Sequence, residues 1–471
     1  MINTKIICTI GPATESYEML NEMHKSGMNI VRLNMSHGTH EWHEKIIKQV
    51  KSLNKKLKFP IALLLDTKGP EIRTGDLANN LDLKTGEKIW VSVKHDVDVE
   101  HTSFHIDYED LIHEMNIGDK ITIDNGLINL KVLEKNDRMM HCKVIDGGVL
   151  KSKSHVNLPG IRVNLPGITP KDKEDILFGL KQNVDFIALS FVRCAEDILQ
   201  LRELMGKKNG KIKVIAKIED QEGVSNLQEI IDVSDGIMIA RGDLGVEIDI
   251  SLLPNVQRKI SRMCAEQGKR VIVATHLLES MIKHPLPTRA EVTDVANAIY
   301  EEVDAIMLSG ETTVGKYPIK CIQQMVNIAK NAELTKGLQF HQNLNISTDK
   351  QHVATSAVKL AEAINAQGII VITRRGIMAD FVTNCRPFQI PIYAFTNVSQ
   401  TRRTLVLNRG ISPYRITFST NPEKTLQNAF SILRKREQMQ PGKKVVVISD
   451  VLVDGSQVDA IQIRELPASD D

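Results

Sequence analysis

The chain has 471 residues, a length that corresponds to about three domains of ordinary size. A formal net charge of +2 at pH 7 and an aromatic content of 4% disfavour a nucleic-acid-binding protein, which needs a basic surface and stacking side chains. No apolar run is long enough to span a bilayer, the first residues lack a signal-peptide layout, and the six cysteines form no Cys-x-x-Cys pair, so we expect a cytoplasmic protein with reduced thiols.

The first predicted elements are short apolar strands that alternate with amphipathic segments of helix length. Eight such strands are predicted, over residues 5–11, 28–35, 61–67, 186–192, 214–219, 236–243, 270–276 and 305–311. Strands that alternate with helices pair in parallel, and a nearly continuous apolar character indicates burial on both faces. The series therefore predicts an α/β fold built on a (β/α)8 TIM barrel, with an open doubly wound sheet as the competing architecture.

The series is interrupted after its third strand by a segment of different texture, rich in alternating and β-branched residues. Asp124-Asn125-Gly126 is a turn signal within it, and a structureless loop of this length would be unusual in a compact domain. We therefore predict an inserted β-barrel lid domain over 70–165, within a catalytic barrel formed by 1–69 and 166–335. A polar linker leads to a C-terminal α/β domain over 345–471, which could hold an effector site.

Polar residues follow the second and third predicted strands, at the barrel end where active sites lie. Arg32, Asn34 and Ser36 alternate along the second strand and are predicted to share one face. Asp66 and Thr67 end the third strand. Oxygen ligands grouped in this way suit a hard cation, although capping of loop or helix-start amides is the alternative explanation.

Charged residues follow the fifth and sixth strands. Lys217 and Glu219 share a face, while Gly242 and Asp243 belong to a Gly-Asp-Leu-Gly turn whose amides could hold an anion. Glu219 and Asp243 could together bind magnesium, which typically takes one or two protein carboxylates. A structural ion-pair cluster that includes Arg241 is the alternative.

The seventh and eighth strands end in hydroxyl and carboxyl groups. Thr275, Ser309 and Glu311 could form a proton-conducting chain, or they could be helix caps. Neither a phosphate-binding loop motif nor a dinucleotide-binding glycine motif is found. A His-x-x-His-x-x-His run over 37–43 resembles a zinc motif, but we predict that its last two histidines lie on the exposed start of a helix.

Seven segments together resemble the pyruvate kinase family, in the family's order and over most of the chain. They are TKIICTIGPAT, NIVRLNMSHG, LLDTKGPEIRTG, AKIED, GIMIARGDLGVEI, PTRAEVTDVANAI and MLSGET. The resemblance implies a cytoplasmic homotetramer, with no nucleic-acid or membrane partner, that uses Mg²⁺ and K⁺. Its reaction would transfer the phosphoryl group of phosphoenolpyruvate to ADP, giving pyruvate and ATP in the last step of glycolysis.

The resemblance also implies roles for individual residues. The potassium ligands would be Asn34, Ser36, Asp66 and Thr67, and the magnesium ligands Glu219 and Asp243. The substrate would be bound by Arg32, Lys217, Gly242, Asp243 and Thr275. The nucleotide would be bound by Pro12, Asn34, His37 and Arg73. The catalytic residues would be Arg73, Lys217, Thr275, Ser309 and Glu311. Glu71 matches the family variant that needs potassium.

Some positions depart from the family's pattern. His276 stands in place of a glutamine, and Ser154, next to Lys153, stands in place of a lysine that contacts the nucleotide. The loop over 373–379 is poor in the hydroxyl groups that hold a phosphorylated effector, so fructose-bisphosphate activation of the usual kind is not expected. Two alternatives stay open: a non-catalytic paralogue that senses a phosphometabolite or binds a partner, and another phosphoenolpyruvate-handling barrel such as an aldolase or mutase.

Overall fold

The computed structural model describes residues 2–93, 102–161, 163–453 and 456–468. The chain begins with three strands, β1 (Lys5–Thr9), β2 (Ile30–Asn34) and β3 (Ala62–Asp66). They alternate with helices α1 (Tyr17–Ser26) and α2 (His40–Leu53). The side chains of Ser16 and Thr39 accept hydrogen bonds from the first-turn amides of these helices, which fixes where each helix starts.

An all-β unit follows β3, as predicted. Its strands are β4 (Ile72–Arg73), β5 (Leu81–Leu83), β6 (Lys88–Ser92), β7 (Thr102–His105), β8 (Lys120–Ile123), β9 (Ile128–Lys135), β10 (Met139–Asp146), β11 (Gly148–Leu150) and β12 (His155–Asn157). Helix α3 spans Leu111–Glu114. Seven of these strands form a sheet in the order β4-β12-β8-β9-β10-β6-β7, and a bridge between Thr74 and Ile106 joins its two edges. We call this unit the lid.

The chain then returns to the first sheet. Strands β13 (Phe186–Leu189), β14 (Lys213–Ile218), β15 (Gly236–Ala240), β16 (Arg270–Ala274) and β17 (Ala305–Leu308) complete a closed parallel barrel in the order β1-β17-β16-β15-β14-β13-β3-β2. The surrounding helices are α4 (Pro170–Gln182), α5 (Ala195–Met205), α6 (Gln221–Ser225), α7 (Leu227–Val233), α8 (Arg241–Glu247), α9 (Leu253–Gln267), α10 (Arg289–Tyr300), α11 (Gly310–Thr313) and α12 (Pro318–Ala332). The predicted TIM barrel is thus confirmed.

A second α/β sheet follows the barrel. It contains β18 (Ile369–Ile372), β19 (Ile392–Thr396), β20 (Ile411–Arg415), β21 (Lys444–Val453) and β22 (Ser456–Glu465), in the order β20-β19-β18-β21-β22. Its helices are α13 (Asp349–Ala363), α14 (Ile377–Asn384), α15 (Ser399–Thr404) and α16 (Pro422–Glu437). Strand β20 contains Pro413, which it tolerates because it lies at the edge of the sheet. The proposed domain limits stay predictions.

The barrel strands end earlier than the sequence pattern indicated. Strand β15 stops at Ala240 because α8 begins with the next residue, and β17 stops at Leu308 just before α11. Strand β2 ends at Asn34, so the prediction that Ser36 shares a strand face with Arg32 was wrong. Ser36, Thr67, Glu219, Gly242, Asp243 and Thr275 therefore lie on the loops and helix starts that follow the strands, whereas Arg32, Asn34, Asp66 and Lys217 lie at the ends of the strands themselves. None of the described helices could cross a membrane.

Candidate active site

A buried cluster of opposite charges lies at the carboxyl ends of β2, β3 and β14. Arg32 Nε donates to Asp66 Oδ2 at 2.6 Å, and Lys217 Nζ lies 3.1 Å from Asp66 Oδ1. Lys217 Nζ also lies 3.0 Å from Glu219 Oε1. Because the Asp66 side chain is fully buried, it joins the two cations within one low-dielectric environment.

Ser190 is a member of this cluster that the sequence pattern did not single out. Its hydroxyl accepts a hydrogen bond from Lys217 Nζ at 2.6 Å and donates to the Thr67 carbonyl at 2.7 Å. The next residue, Phe191, adopts a φ of 52°, and its amide donates to Glu219 Oε2 at 2.6 Å. The available signal was that Ser190 directly follows strand β13, as the other site residues follow their strands.

The pKa values in this cluster follow from burial and from the partners of each group. Burial alone would lower the pKa of Lys217, but Asp66 and Glu219 outweigh it and raise that pKa. Burial opposes ionisation of Asp66, yet Lys217 and Arg32 hold its pKa below the usual value. Burial raises the pKa of Glu219 to about 7, against the attraction of Lys217 and with the repulsion of Asp243.

Carboxylates outnumber cations in this cluster. Asp66, Glu219 and Asp243 supply three carboxylates, whereas Lys217 and Arg32 supply two cations. Within the described residues, no group of three or more His, Cys, Asp or Glu side chains could hold a metal ion. Glu219 and Asp243 repel each other across this cluster, and their assignment as a magnesium pair stays a prediction.

The oxygen atoms predicted to bind potassium lie on two adjoining segments, at the ends of the paired strands β2 and β3. Asn34 Oδ1 accepts from the Ser36 amide at 3.2 Å, and Thr67 Oγ1 accepts from the Ser190 amide at 3.0 Å. These bonds agree with the capping alternative, but each oxygen keeps a second lone pair for a cation.

Two further predictions concern the loop and helix that follow β2. Pro12 and His37, predicted to bind the nucleotide, are exposed beside this end of the barrel. His43 was expected to be exposed, but it is buried and its ring bonds to the His37 carbonyl at 2.9 Å, because this face of α2 packs on the barrel.

Arg73 enters the site region from the first strand of the lid. Its guanidinium donates to Glu71 Oε2 at 2.8 Å and to the Lys153 carbonyl at 2.6 Å. Lys68 Nζ also lies 3.2 Å from Glu71 Oε2. Glu71 is thus held between two cations, while the Lys153 ammonium pairs with exposed Asp76 at 3.4 Å.

The turn after β16 has an unusual backbone. Thr275 and His276 are consecutive non-glycine residues with φ values of 66° and 55°, a conformation that concentrates at functional sites. The Thr275 hydroxyl donates to the Ala274 carbonyl at 2.6 Å and accepts from the Gly242 amide at 2.7 Å. Arg241 supports the turn by donating to the Thr275 carbonyl at 2.9 Å. Thr275 and Gly242 are therefore brought together, as predicted for substrate-binding residues.

Glu311 and Ser309 occupy the turn after β17. The fully buried Glu311 carboxylate accepts from the amides of Leu278 and Ser309, at 3.0 and 2.8 Å. The Ser309 hydroxyl is buried, and no partner for it is found among the described residues. Glu311 thus fixes the turn as a cap does, and the Ser309 hydroxyl is the polar group left free to serve a ligand.

Comparison with known proteins covers almost all of the chain. Residues 1–322 match the family described as pyruvate kinase, barrel domain, and residues 351–463 match the pyruvate kinase alpha/beta domain. A pyruvate kinase of Staphylococcus epidermidis is 42% identical over 458 residues, which cover 96% of this chain and 78% of that protein. A pyruvate kinase of Dictyostelium discoideum is 43% identical over 467 residues, which cover 96% of this chain and 92% of that protein.

Proposed function

The chain belongs to the pyruvate kinase family, and we propose that Lys217 is the residue at the centre of its transfer of a phosphoryl group from phosphoenolpyruvate to ADP. The observation that carries this proposal is the buried, charged Lys217 ammonium, held by Asp66, Glu219 and the Ser190 hydroxyl. Phosphoryl transfer depends on positioning and on stabilisation of charge more than on covalent chemistry. A pre-oriented ammonium in a water-poor site supplies both.

The magnesium site of this proposal is the carboxylate pair Glu219 and Asp243. Mg²⁺ supplies positive charge to phosphoryl and enolate oxygens when it is bound. The raised pKa of Glu219 supports the assignment, because a buried carboxylate repelled by a second one gains from a cation. The Phe191 amide bond to Glu219 Oε2 orients this ligand before a metal arrives.

The potassium site would use oxygens of Asn34, Ser36, Asp66 and Thr67. Asp66 supports this proposal because it is fully buried and ionised, so a monovalent cation beside it would not meet competing solvent. Glu71 is the matching residue on the lid side, because its carboxylate offsets part of the positive charge that Lys68 and Arg73 bring to the phosphate region.

The substrate and nucleotide would meet between the barrel and the lid. Gly242 and Thr275 would orient the substrate carboxylate, and Arg32 and Arg73 would face its phosphate. Thr275 is also our candidate for the residue that delivers a proton to the enolate carbon, with Ser309 as a further hydroxyl and Glu311 holding their turn. The nucleotide would contact Arg73 together with the loop residues Pro12, Asn34 and His37.

We also propose that the protein acts as a cytoplasmic homotetramer. Large apolar side chains are exposed on the barrel helices and loops, with Ile250 67%, Leu252 51% and Leu286 71% exposed. Exposed apolar groups of this kind are typical of subunit contacts, and closed symmetric assemblies are the common case. Analytical ultracentrifugation would measure the mass directly, and a monomer at micromolar concentration would reject this part of the proposal.

The function is tested by following pyruvate formation from phosphoenolpyruvate and ADP with Mg²⁺, in K⁺ and in Na⁺ at equal ionic strength. Activity that requires both cations is the expected result. Activity that ignores the change from K⁺ to Na⁺ would reject the potassium ligands and retain the enzyme. Folded protein that binds phosphoenolpyruvate without turnover would instead favour the non-catalytic paralogue.

A further inference from the structure

A polar contact joins the lid to the barrel at one edge of a cleft of about 550 Å³. Asn157, the last residue of β12, donates from Nδ2 to Glu247 Oε1 at 2.8 Å. The Leu158 amide lies close enough to the Glu247 carboxyl group to oppose the rise in its pKa that burial causes. Glu247 is the last residue of α8, so the contact links the end of a lid strand to the end of a barrel helix.

The lid strand in this contact is bound directly to the strand that carries Arg73. His155 of β12 lies opposite Arg73 of β4, and Val156 lies opposite Ile72. Strand β12 is also paired with β8 on its other side, so it cannot shift without moving the body of the lid. The position of Asn157 therefore sets the position of Arg73.

The barrel helix in this contact carries the proposed substrate and magnesium residues at its other end. Helix α8 has only seven residues, with Gly242 and Asp243 in its first turn and Glu247 at its end. Gln221 Nε2 donates to the Glu247 carbonyl at 2.6 Å and fixes that end against α6. A short, anchored helix moves as one unit, so the position of Glu247 is tied to that of Asp243.

We propose that Asn157 and Glu247 are positioning residues that dock the lid on the barrel and thereby set the separation of Arg73 from Asp243. This inference rests on the proposed function, in which Arg73 faces the phosphate and Asp243 binds magnesium. The contact differs from the one where the chain returns to the barrel, in which Arg193 donates to the carbonyls of Val163 and Leu165.

The lid can leave its docked position, because one contribution at Asn157 favours docking and another opposes it. Asn157 is only 3% exposed, and its Oδ1 atom is buried with no partner among the described residues. A buried acceptor without a donor opposes burial of the Asn157 side chain, whereas the bond from Asn157 Nδ2 to Glu247 favours it. Opening of the lid would return Oδ1 to water, so substrates can enter and products can leave without breaking a deep minimum.

The chain offers a reciprocal exchange as a test. Asn157→Asp replaces the amide that donates to Glu247 Oε1 with a carboxyl group, so this hydrogen bond is lost and the two acidic groups repel each other when both are ionised. We expect kcat and kcat/KM for ADP to fall about tenfold, the equivalent of one hydrogen bond. Combining Asn157→Asp with Glu247→Gln lets the glutamine amide donate to the new aspartate, and we expect recovery to within about threefold of wild type.

Two controls separate positioning from stability. Glu229→Gln removes a carboxylate that lines the same cleft but bonds to the Ala195 amide of α5, and it should leave both kinetic constants unchanged. Glu247→Ala breaks the contact from the barrel side and should reproduce the loss caused by Asn157→Asp at an unchanged melting temperature. A kinetic loss that simply follows a lowered melting temperature would reject the positioning role.

Amide hydrogen exchange supplies a readout that does not depend on turnover. Amides of β12 and β4 should exchange faster in Asn157→Asp and return to the wild-type rate in the double variant. An inactive wild-type protein would reject the proposed function, yet these exchange rates would still test the contact. Wild-type kinetics and protection in Asn157→Asp, or a double variant no better than the single one, would overturn the inference.

Discussion

Both ends of the barrel bury carboxylates, and the carboxylates of Asp304 at the amino end and Glu219 at the carboxyl end are compensated by cations to different degrees. At the amino end, the Asp304 carboxylate accepts hydrogen bonds from Nη1 and Nη2 of Arg386, both at 2.8 Å. It also accepts one from Nη1 of Arg270 at 3.2 Å. The Val271 amide adds a further bond at 3.0 Å. At the carboxyl end, Glu219 shares the single Lys217 ammonium with Asp66.

The pKa directions express this difference. Burial opposes ionisation of Asp304, but Arg386 and Arg270 outweigh it and hold its pKa well below the usual value. Burial instead raises the pKa of Glu219 to about 7, because its one cationic partner, Lys217, is shared with Asp66, and Asp243 repels it. We infer that Asp304, whose partners compensate its charge, is structural, whereas Glu219 is the carboxylate to which the proposed function assigns a cation. Substitutions at the two ends should therefore separate activity from stability.

The largest expected effect on activity is that of Lys217→Met. Its ammonium is the group best placed to stabilise the transferring phosphoryl group, so we expect kcat to fall by about two to four orders of magnitude. Steady-state pyruvate formation measures this loss.

Lys213, at the start of the same strand, provides the matched control. Lys213 Nζ pairs with Asp235 at 3.1 Å at the opposite end of the barrel. Lys213→Met should keep kcat within a few-fold of wild type and lower the melting temperature instead. Equal kinetic losses in the two variants would show that the strand, and not the site, is responsible.

The largest expected effect on stability is that of Asp304→Asn. Removing this carboxylate leaves Arg270 and Arg386 buried without a counter-charge, and breaking a buried ion pair in this way costs about 3–5 kcal/mol. Urea unfolding should show a lower midpoint, while kcat of the remaining folded enzyme stays near wild type. A variant as stable as the wild type would reject the structural assignment of this end.

Acid should reveal the same group without mutation. The folded-state pKa of Asp304 is depressed, so its stabilising contribution is complete above the unfolded-state pKa of about 4 and is lost as pH falls toward the folded-state value. The melting temperature of the wild type should therefore fall more steeply between pH 5 and pH 3 than that of Asp304→Asn. Parallel curves would mean that other carboxylates govern the acid response.

The contrast between the two ends also explains what the sequence could predict. Apolar periodicity located all eight barrel strands, and strand ends located Arg32, Asp66, Lys217 and Glu219, because parallel strands bring their carboxyl ends together. The pattern could not show where each strand stops, since that depends on where the next helix begins. It also missed Ser190, because a single serine after a strand becomes informative only once β13 and β14 are adjacent.

The same limit applies to the amino end of the barrel. Asp304 and Arg386 are far apart in the chain and belong to no motif, so their bidentate pair appears only when the C-terminal sheet is docked under the barrel. The Asn157–Glu247 contact is likewise a property of two packed elements rather than of either segment. Charge compensation between distant segments is thus the part of this molecule that the sequence pattern leaves undetermined.

The smallest effect concerns Ser190, whose hydroxyl orients Lys217 without taking part in charge compensation. Ser190→Ala removes the 2.6 Å bond to Lys217 Nζ and leaves both carboxylate partners in place. A hydrogen bond to a charged group corresponds to about 1.5–3 kcal/mol at most, and the remaining carboxylates still hold the ammonium, so we expect a loss in kcat of about tenfold.

The matched control is Ser234→Ala, a buried serine at the amino end that donates to the Ile230 carbonyl at 2.7 Å. It should lower the melting temperature slightly and leave kcat unchanged. If Ser190 orients the Lys217 ammonium for the transition state, Ser190→Ala should lower kcat and leave KM for phosphoenolpyruvate nearly unchanged. If Ser190→Ala and Ser234→Ala have the same kcat, the role of Ser190 is purely structural. The charged groups alone would then account for the function of the carboxyl end.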